Sequence, residues 1–221
     1  MKILSHRGLW HGAEEKNTAP AFTRSFDAFY GTETDVRDLA GALVISHDMP
    51  RGDEMSLTDF LALHAGRGLP LAMNIKADGL AQPLRDAMRR HAVPDWFAFD
   101  MSVPDMRAHL RLGNPVFTRL SEVERQPVWF EQACGVWLDG FESTWFGTAD
   151  ITDLLRAGKR VCVVSPELHG READASWRAL RTLATEGSLM LCTDRPHEAA
   201  AFFGNARGVA VKAAEPATAS T

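Results

Sequence analysis

Cysteine is scarce in this sequence, and the three cysteines that occur lie far apart. Cys134, Cys162 and Cys192 each stand in an apolar run, and no two of them have the spacing of metal ligands. A disulfide-rich scaffold and a cysteine-based metal site are therefore excluded. We expect three buried free thiols in a reducing compartment.

An excess of basic residues and long apolar runs are also lacking. Lys and Arg number 24 against 29 Asp and Glu, and the resulting net charge of -5 argues against nucleic acid as a partner. No apolar run approaches the roughly 20 residues of a membrane span. Residues 1–6 enter a short strand directly, without the apolar core of a signal peptide. The sequence thus predicts a cytoplasmic protein without stable membrane insertion.

The chain instead alternates short apolar runs with amphipathic segments. The apolar runs predict strands at residues 2–5, 32–37, 42–46, 71–76, 96–101, 115–120, 135–139, 160–164 and 188–192. Helical spacing between them predicts helices at residues 19–30, 56–65, 80–91, 103–112, 149–157 and 173–186. Strands that alternate with helices are typical of a parallel sheet.

One pair of predicted strands is too closely spaced for a parallel crossover. Only residues 38–41 join strand 32–37 to strand 42–46, so we predict an antiparallel hairpin there. Eight parallel strands remain, which predicts an α/β fold: a (β/α)₈ TIM barrel with a small antiparallel hairpin extension after its second strand. We expect a single domain over residues 1–211. Residues 212–221, rich in Ala, Thr, Pro and Ser, are expected to form a disordered tail.

Charged residues cluster where the first strands end, which is where α/β barrels carry their chemistry. The period of a strand puts Glu33 and Asp35 on one face. Two adjacent carboxylates repel each other unless a cation lies between them, and their oxygens suit Mg²⁺ or Ca²⁺. The alternative is that the two carboxylates form ion pairs with Arg7, Arg37 or Lys76.

Two histidines, His6 and His47, flank this acidic pair in the sequence. Imidazole exchanges protons near neutral pH. Cleavage of a phosphodiester needs one group to deprotonate a nucleophile, another to protonate the leaving alkoxide, and positive charge on the phosphoryl oxygens. The two histidines, with Arg7, Lys76 and a cation on the carboxylates, supply all of these.

With these residues the sequence resembles the glycerophosphodiester phosphodiesterase family, within the wider phosphatidylinositol-phospholipase-C-like phosphodiesterase barrels. The matching segments follow the family's order along nearly the whole chain: SHRG (5–8), NT (17–18), ETDV (33–36), SHD (46–48), NIK (74–76) and TDRP (193–196). The sequence is also similar to sphingomyelinase-D-like relatives, which keep the two histidines and the E-x-D pattern.

The resemblance implies hydrolysis of a small-molecule phosphodiester, a glycerophosphodiester above all, to glycerol phosphate and an alcohol. It implies one divalent cation, Mg²⁺ or Ca²⁺. In such enzymes a substrate hydroxyl often attacks first to give a cyclic phosphate, which water then opens. The order in which the histidines act stays open. The resemblance implies that His6 and His47 form the acid–base pair. It implies that Arg7 and Lys76 contact the phosphate and that Glu33 and Asp35 bind the cation.

The sequence departs from the family pattern at two positions. Lys16 stands where the family has Glu before the Asn-Thr pair, and Asn74 stands where it has an acidic metal ligand. Because Asn74 offers a neutral oxygen, the cation would be held by less charge. We predict Asp100, on the next strand and on the face that Ser102 shares, as a further ligand. The alternative is an ion pair between Asp100 and Lys76.

Three more residues are candidates for shaping the choice of substrate. Trp10 follows the first motif, while Glu167 and His169 lie in a polar loop after the seventh barrel strand.

Other functions remain as alternatives. A non-catalytic phosphate-binding barrel with a degenerate metal site is one, and a sphingomyelinase-D-like or lysophospholipase-D-like phosphodiesterase is another. An amidohydrolase is disfavoured because the first strand lacks its usual His-x-His.

Overall fold

The structure, a computed structural model, describes residues 1–204. The predicted tail at 212–221 lies outside the described residues, as does the end of the predicted domain. The strands are β1 (Lys2–His6), β2 (Gly31–Leu39), β3 (Ala42–Ile45), β4 (Leu71–Ile75), β5 (Trp96–Phe99), β6 (Phe117–Leu120), β7 (Gly135–Leu138), β8 (Arg160–Val164) and β9 (Leu189–Thr193). The helices are α1 (Ala19–Asp27), α2 (Leu57–His64), α3 (Ala81–Arg90), α4 (Val103–Leu112), α5 (Thr148–Arg156), α6 (Asp174–Leu180) and α7 (Pro196–Phe203).

Eight of the strands are parallel and form the predicted barrel. Their order is β5-β4-β2-β1-β9-β8-β7-β6, with β3 paired to β2 from outside this series. A single bridge between Ala98 and Val116 joins β5 to β6, where Ala98 N donates to Pro115 O at 2.8 Å. The barrel is therefore nearly closed, and α/β barrels carry their functional residues at the end where the parallel strands finish. We call that end the mouth.

The predicted hairpin is confirmed. β2 and β3 pair antiparallel, from Val36 opposite Ile45 to Leu39 opposite Ala42. Ala40 and Gly41 turn the chain with φ of 50° and 86°, which are the left-handed values that a tight hairpin needs. The hairpin lengthens β2 beyond its barrel neighbours, and it carries the His47 segment to the mouth.

Aromatic side chains fill the barrel interior below the mouth. Phe97 stacks on Phe117 with ring centroids 3.7 Å apart, and Phe99 stacks on Trp137 at 3.9 Å. The interior residues occupy alternate strand positions, as the two-residue period of a strand requires. They are Leu4, Ala72, Phe97, Phe99, Phe117, Trp137, Cys162, Val164, Met190 and Cys192.

Some details differ from the predictions. α7 was not predicted, and within the described residues no helix lies between β6 and β7. The predicted helix at 173–186 ends early, as α6 followed by a 3-10 turn at Arg181–Leu183. Cys162 and Cys192 are buried free thiols, as predicted, but Cys134 is exposed. No helix within residues 1–204 has the length and apolar character to cross a membrane.

Candidate active site

Strand alternation carries the interior positions up to the mouth, where polar residues replace apolar ones. On β1, His6 follows Leu4 at the inward positions, and on β4, Asn74 follows Ala72. The strand register sets His6 opposite Glu33 and Asp35 opposite Asn74. Three neighbouring strands therefore bring one imidazole, two carboxylates and one amide together, as the sequence predicted.

His6 is held by a carboxylate that the sequence analysis did not include in the site. Its Nδ1 lies 2.7 Å from Asp194 Oδ1, and its Nε2 lies 3.9 Å from Glu33 Oε2. Lys16 Nζ lies 3.6 Å from the other oxygen of Asp194. Burial opposes the charge on Asp194, but the hydrogen bond from His6 and the charges of His6 and Lys16 outweigh it, so the pKa of Asp194 is lowered. Asp194 is thus an anion that orients the ring of His6.

Asp35 is fully buried and surrounded by donors and cations. Asn17 Nδ2 donates to its Oδ2 at 2.8 Å, and Lys76 Nζ lies 3.3 Å from its Oδ1. Arg7 Nε lies 2.8 Å from Oδ2, yet this N–H has no hydrogen-bond partner, so the contact is one of charge alone. The ion pairs with Arg7 and Lys76, set out above as the alternative to a metal site, are therefore present.

Three buried oxygens at the mouth have no hydrogen-bond partner: Glu33 Oε2, Asp35 Oδ1 and Asn74 Oδ1. The amide of Asn74 donates to the other oxygen of Glu33 at 3.2 Å. Burial first, and the charge of Asp35 second, raise the pKa of Glu33 to about 7. A buried acceptor without a partner is costly, and a hard divalent cation satisfies such oxygens. The oxygens therefore fit a divalent cation.

The donor set contains only two carboxylates. Within residues 1–204, no group of three His, Cys, Asp or Glu side chains is arranged to hold a metal ion. The third oxygen comes from the amide of Asn74, which completes the set without adding charge. Fewer charged ligands give weaker cation binding.

His47 lies on the segment that follows β3, beside the acidic strand. Ser46 N donates to Asp35 O at 3.0 Å, which continues the hairpin pairing to the residue before His47. The imidazole Nδ1 lies 2.8 Å from Asp48 Oδ1, and the side chain is 49% exposed. Within residues 1–204, no hydrogen bond or ion pair joins this ring to His6. The structure therefore places His47 at the rim of the mouth.

Asp100 has a different partner from the two that the sequence suggested. β5 ends at Phe99, and Asp100 has φ 63°, so the strand alternation predicted through Asp100 is wrong. Its Oδ1 accepts from Arg119 Nε at 3.0 Å and also contacts Arg119 Nη2. Within residues 1–204, the ion-pair partner of Asp100 is therefore Arg119 and not Lys76.

The three candidates for substrate choice lie around the mouth. Trp10 Nε1 donates to His6 O at 3.1 Å. His169 Nε2 lies 2.7 Å from Asp139 Oδ1. Glu167 accepts from Ser165 and Thr193 and from the backbone N of Asp194, so it supports the residue that holds His6. Glu167 is thereby a structural support as much as a residue of the mouth.

Sequence reasoning missed Asp194 and Asn17 as site residues, although both lie in the motifs that carry the resemblance. Asp194 could have been predicted, because it comes directly after β9 and continues the alternation of Met190 and Cys192, whose side chains lie in the barrel interior. The sequence gives less indication that Asn17 belongs to the site. It has φ 61°, its Oδ1 accepts from Thr34, and its amide reaches Asp35. A loop contact of this kind has no periodicity to reveal it.

The fold and the mouth together define a class, the (β/α)₈ barrels with carboxylates and cationic side chains clustered where the strands end. No family model matches the sequence, and no curated protein matches it. Among solved structures, glycerophosphodiester phosphodiesterase from Agrobacterium tumefaciens is similar, with TM-score 0.67 and 18% identity over 92% of this chain and 99% of that one. A phosphodiesterase from Oleispira antarctica, in complex with the product sn-glycerol-3-phosphate, gives TM-score 0.69 and 15% identity over 92% and 97% of the two chains.

A third similar structure is a Ca²⁺-dependent phosphatidylinositol-specific phospholipase C from Streptomyces antibioticus. It gives TM-score 0.55 and 12% identity over 91% of this chain and 96% of that one. These matches show that the chain shares the barrel fold of glycerophosphodiester phosphodiesterases and phospholipase-C-like enzymes. The fold implied by the sequence resemblance is confirmed.

Proposed function

We propose that this protein hydrolyses phosphodiesters at the mouth of its barrel. The observation that carries the proposal is the position of His6, which is held by Asp194 and faces Glu33. The carboxylate of Asp35, which Arg7 and Lys76 flank, lies beside it. An oriented imidazole next to clustered cations is what proton transfer on a phosphate ester needs. The structural neighbours are phosphodiesterases, which supports the same reaction.

The residues of the mouth divide the chemistry between them. Because Nδ1 of His6 donates to Asp194, its Nε2 is free to exchange a proton with the substrate. Arg7 and Lys76 bind phosphoryl oxygens and offset their negative charge. His47, at the rim, is the second acid–base residue and exchanges a proton on the opposite side of the phosphorus.

Glu33, Asp35 and Asn74 are the residues that would hold one divalent cation, Mg²⁺ or Ca²⁺. Their three buried oxygens, which have no hydrogen-bond partner, support this assignment, and so does the Ca²⁺ dependence of one structural neighbour. When bound, the cation supplies positive charge to the phosphoryl oxygens. Asp100 is not included, because Arg119 occupies its carboxylate.

A glycerophosphodiester is the substrate that the neighbours favour, since one of them holds sn-glycerol-3-phosphate as its product. Trp10, Glu167 and His169 lie around the mouth, where the alcohol part of the substrate would meet them. We therefore assign substrate choice to this part of the rim.

The test is turnover by purified protein with and without EDTA. Glycerophosphocholine, lysophosphatidylcholine and bis-p-nitrophenyl phosphate are offered to the wild type and to His6→Ala and His47→Ala. We expect turnover of glycerophosphocholine that EDTA removes and both substitutions reduce. Turnover that survives in both variants would overturn the acid–base assignment. A preference for lysophosphatidylcholine identifies the lipid-directed alternative, and binding of phosphate without any turnover identifies a non-catalytic barrel.

A further inference from the structure

With Glu33 ionised, the charged side chains within residues 1–204 that lie nearest His6 and Asp35 balance one another without any cation. Three carboxylates and three permanent cations lie within direct contact of one another or of His6. They are Glu33, Asp35 and Asp194, and Arg7, Lys16 and Lys76. A divalent cation added to this set therefore leaves two uncompensated positive charges at a partly buried site, which is unfavourable.

The excess of positive charge that a bound cation would create follows from two residues of this chain, Asn74 and Lys16. Asn74 completes the three oxygens without contributing charge. Lys16 lies 3.6 Å from Asp194, so its ammonium reinforces the positive side of the mouth. A bound phosphate supplies the missing negative charge.

One oxygen links the two ligands directly. Asp35 Oδ1 lies 3.3 Å from Lys76 Nζ, and it is also one of the three oxygens that a cation would use. A cation at this oxygen therefore competes with Lys76, and a phosphate oxygen gives the displaced ammonium a new partner. Arg7 Nε, which is buried without a hydrogen-bond partner, is likewise ready to donate to a phosphate.

We propose that the divalent cation and the phosphate group bind this mouth cooperatively, each raising the affinity for the other. The proposal rests on the function proposed above, because it takes the cation and the phosphate to share this site. Thermodynamic linkage requires the two effects to be equal. The cation site is thus completed by the substrate's phosphate, and the protein alone binds the cation weakly.

Titration calorimetry of the full chain tests this directly. Mg²⁺ is titrated into the protein alone and into the protein saturated with inorganic phosphate, with Mg²⁺ added to phosphate buffer as the blank. We expect Mg²⁺ to bind about 10- to 100-fold more tightly when phosphate is present. Equal Mg²⁺ affinity in the two titrations, or no Mg²⁺ binding in either, would overturn the proposal.

Charge variants separate this coupling from simple site formation. Asn74→Asp adds a carboxylate at a ligand position, so Mg²⁺ binds without phosphate and the coupling shrinks. Lys16→Gln removes one positive charge and acts in the same direction by a smaller amount, which keeps the test available should Asn74→Asp fail to fold. Lys2→Gln, on the exposed start of β1, is the matched control and leaves the coupling unchanged. An Asn74→Asp or Lys16→Gln variant with the full wild-type coupling would contradict the charge argument.

The outcome is independent of the test of function. Coupled binding without turnover of any diester would reject the proposed hydrolysis alone. Turnover of glycerophosphocholine together with uncoupled Mg²⁺ binding would reject the cooperative site alone.

Discussion

At the scale of single residues, the contact between His6 and Asp194 organises the candidate site. The carboxylate fixes which ring nitrogen carries the proton, and it lies at the end of β9, next to the strand that carries His6. A histidine without such a partner samples both tautomers and several ring orientations. We therefore expect the proposed acid–base role of His6 to depend on Asp194.

The first prediction concerns Asp194. In Asp194→Asn the ring of His6 loses its anionic partner, so kcat should fall by about 10²- to 10⁴-fold while KM changes little. Steady-state kinetics with bis-p-nitrophenyl phosphate measures both constants. Asp153→Asn, an exposed substitution on α5, is the control and keeps wild-type kcat. A kcat unchanged in Asp194→Asn would show that His6 needs no orienting carboxylate.

The second prediction separates Asn74 from Asp100 as cation ligands. Asn74→Ala removes one of the three buried oxygens that have no hydrogen-bond partner, so it should weaken Mg²⁺ binding at least about tenfold. Asp100→Asn alters a carboxylate that pairs with Arg119, so Mg²⁺ affinity should not change. Both affinities are measured by calorimetry with inorganic phosphate present. Weaker Mg²⁺ binding in Asp100→Asn would restore Asp100 to the ligand set.

Site residues could be predicted from the sequence where the two-residue period of a strand fixes the direction of their side chains. The position of Glu33 and Asp35 on one face could be predicted, because side chains alternate between the two faces along β2. Asp100 was not, because the strand stops one residue earlier and its backbone turns to φ 63°. The contact from Asn17 to Asp35 could not be predicted either, because the geometry of a loop leaves no periodic pattern in the sequence.

At the scale of elements, the hairpin of β2 and β3 is the part that distinguishes this barrel from a plain one. The four residues 38–41 between the two predicted strands indicated a hairpin, because a parallel crossover needs a dozen residues or more. Within the part of the chain that the structure describes, no helix lies between β6 and β7, in agreement with the absence of a helical pattern there. The helix boundaries shifted by one to three residues in most cases, as local capping decides where a helix ends.

The third prediction tests the hairpin turn. Gly41 has φ 86° and open space around its Cα, so Gly41→Ala should destabilise the fold by about 1 kcal/mol through backbone strain alone. Gly187 also has open space but an ordinary φ, and Gly187→Ala should change stability by less than about 0.5 kcal/mol. Urea unfolding of both variants gives the comparison. Equal stabilities would show that the turn tolerates a side chain.

At the scale of the whole molecule, the barrel separates packing from chemistry. Apolar rings fill the interior and the polar residues stand at the mouth, so stability and activity depend on different residues. The sequence predicted the barrel because eight apolar runs alternate with amphipathic segments. It could not predict the near-closure through a single bridge between β5 and β6, which depends on how the interior rings pack.

The fourth prediction concerns that interior. Phe117 is fully buried and stacked on Phe97, so Phe117→Ala should lower the free energy of unfolding by about 3–5 kcal/mol. Val123 is 73% exposed, and Val123→Ala should change it by less than about 0.5 kcal/mol. Chemical denaturation measures both. A small loss in Phe117→Ala would mean that the neighbouring rings close the cavity.

The most direct test of the central claim is the release of p-nitrophenolate from bis-p-nitrophenyl phosphate in Mg²⁺, compared between the wild type and a folded His6→Ala variant. We expect release by the wild type and a rate at least about 10²-fold lower in His6→Ala. Equal rates in the two proteins, or no release by the wild type from this or any other phosphodiester, would contradict it.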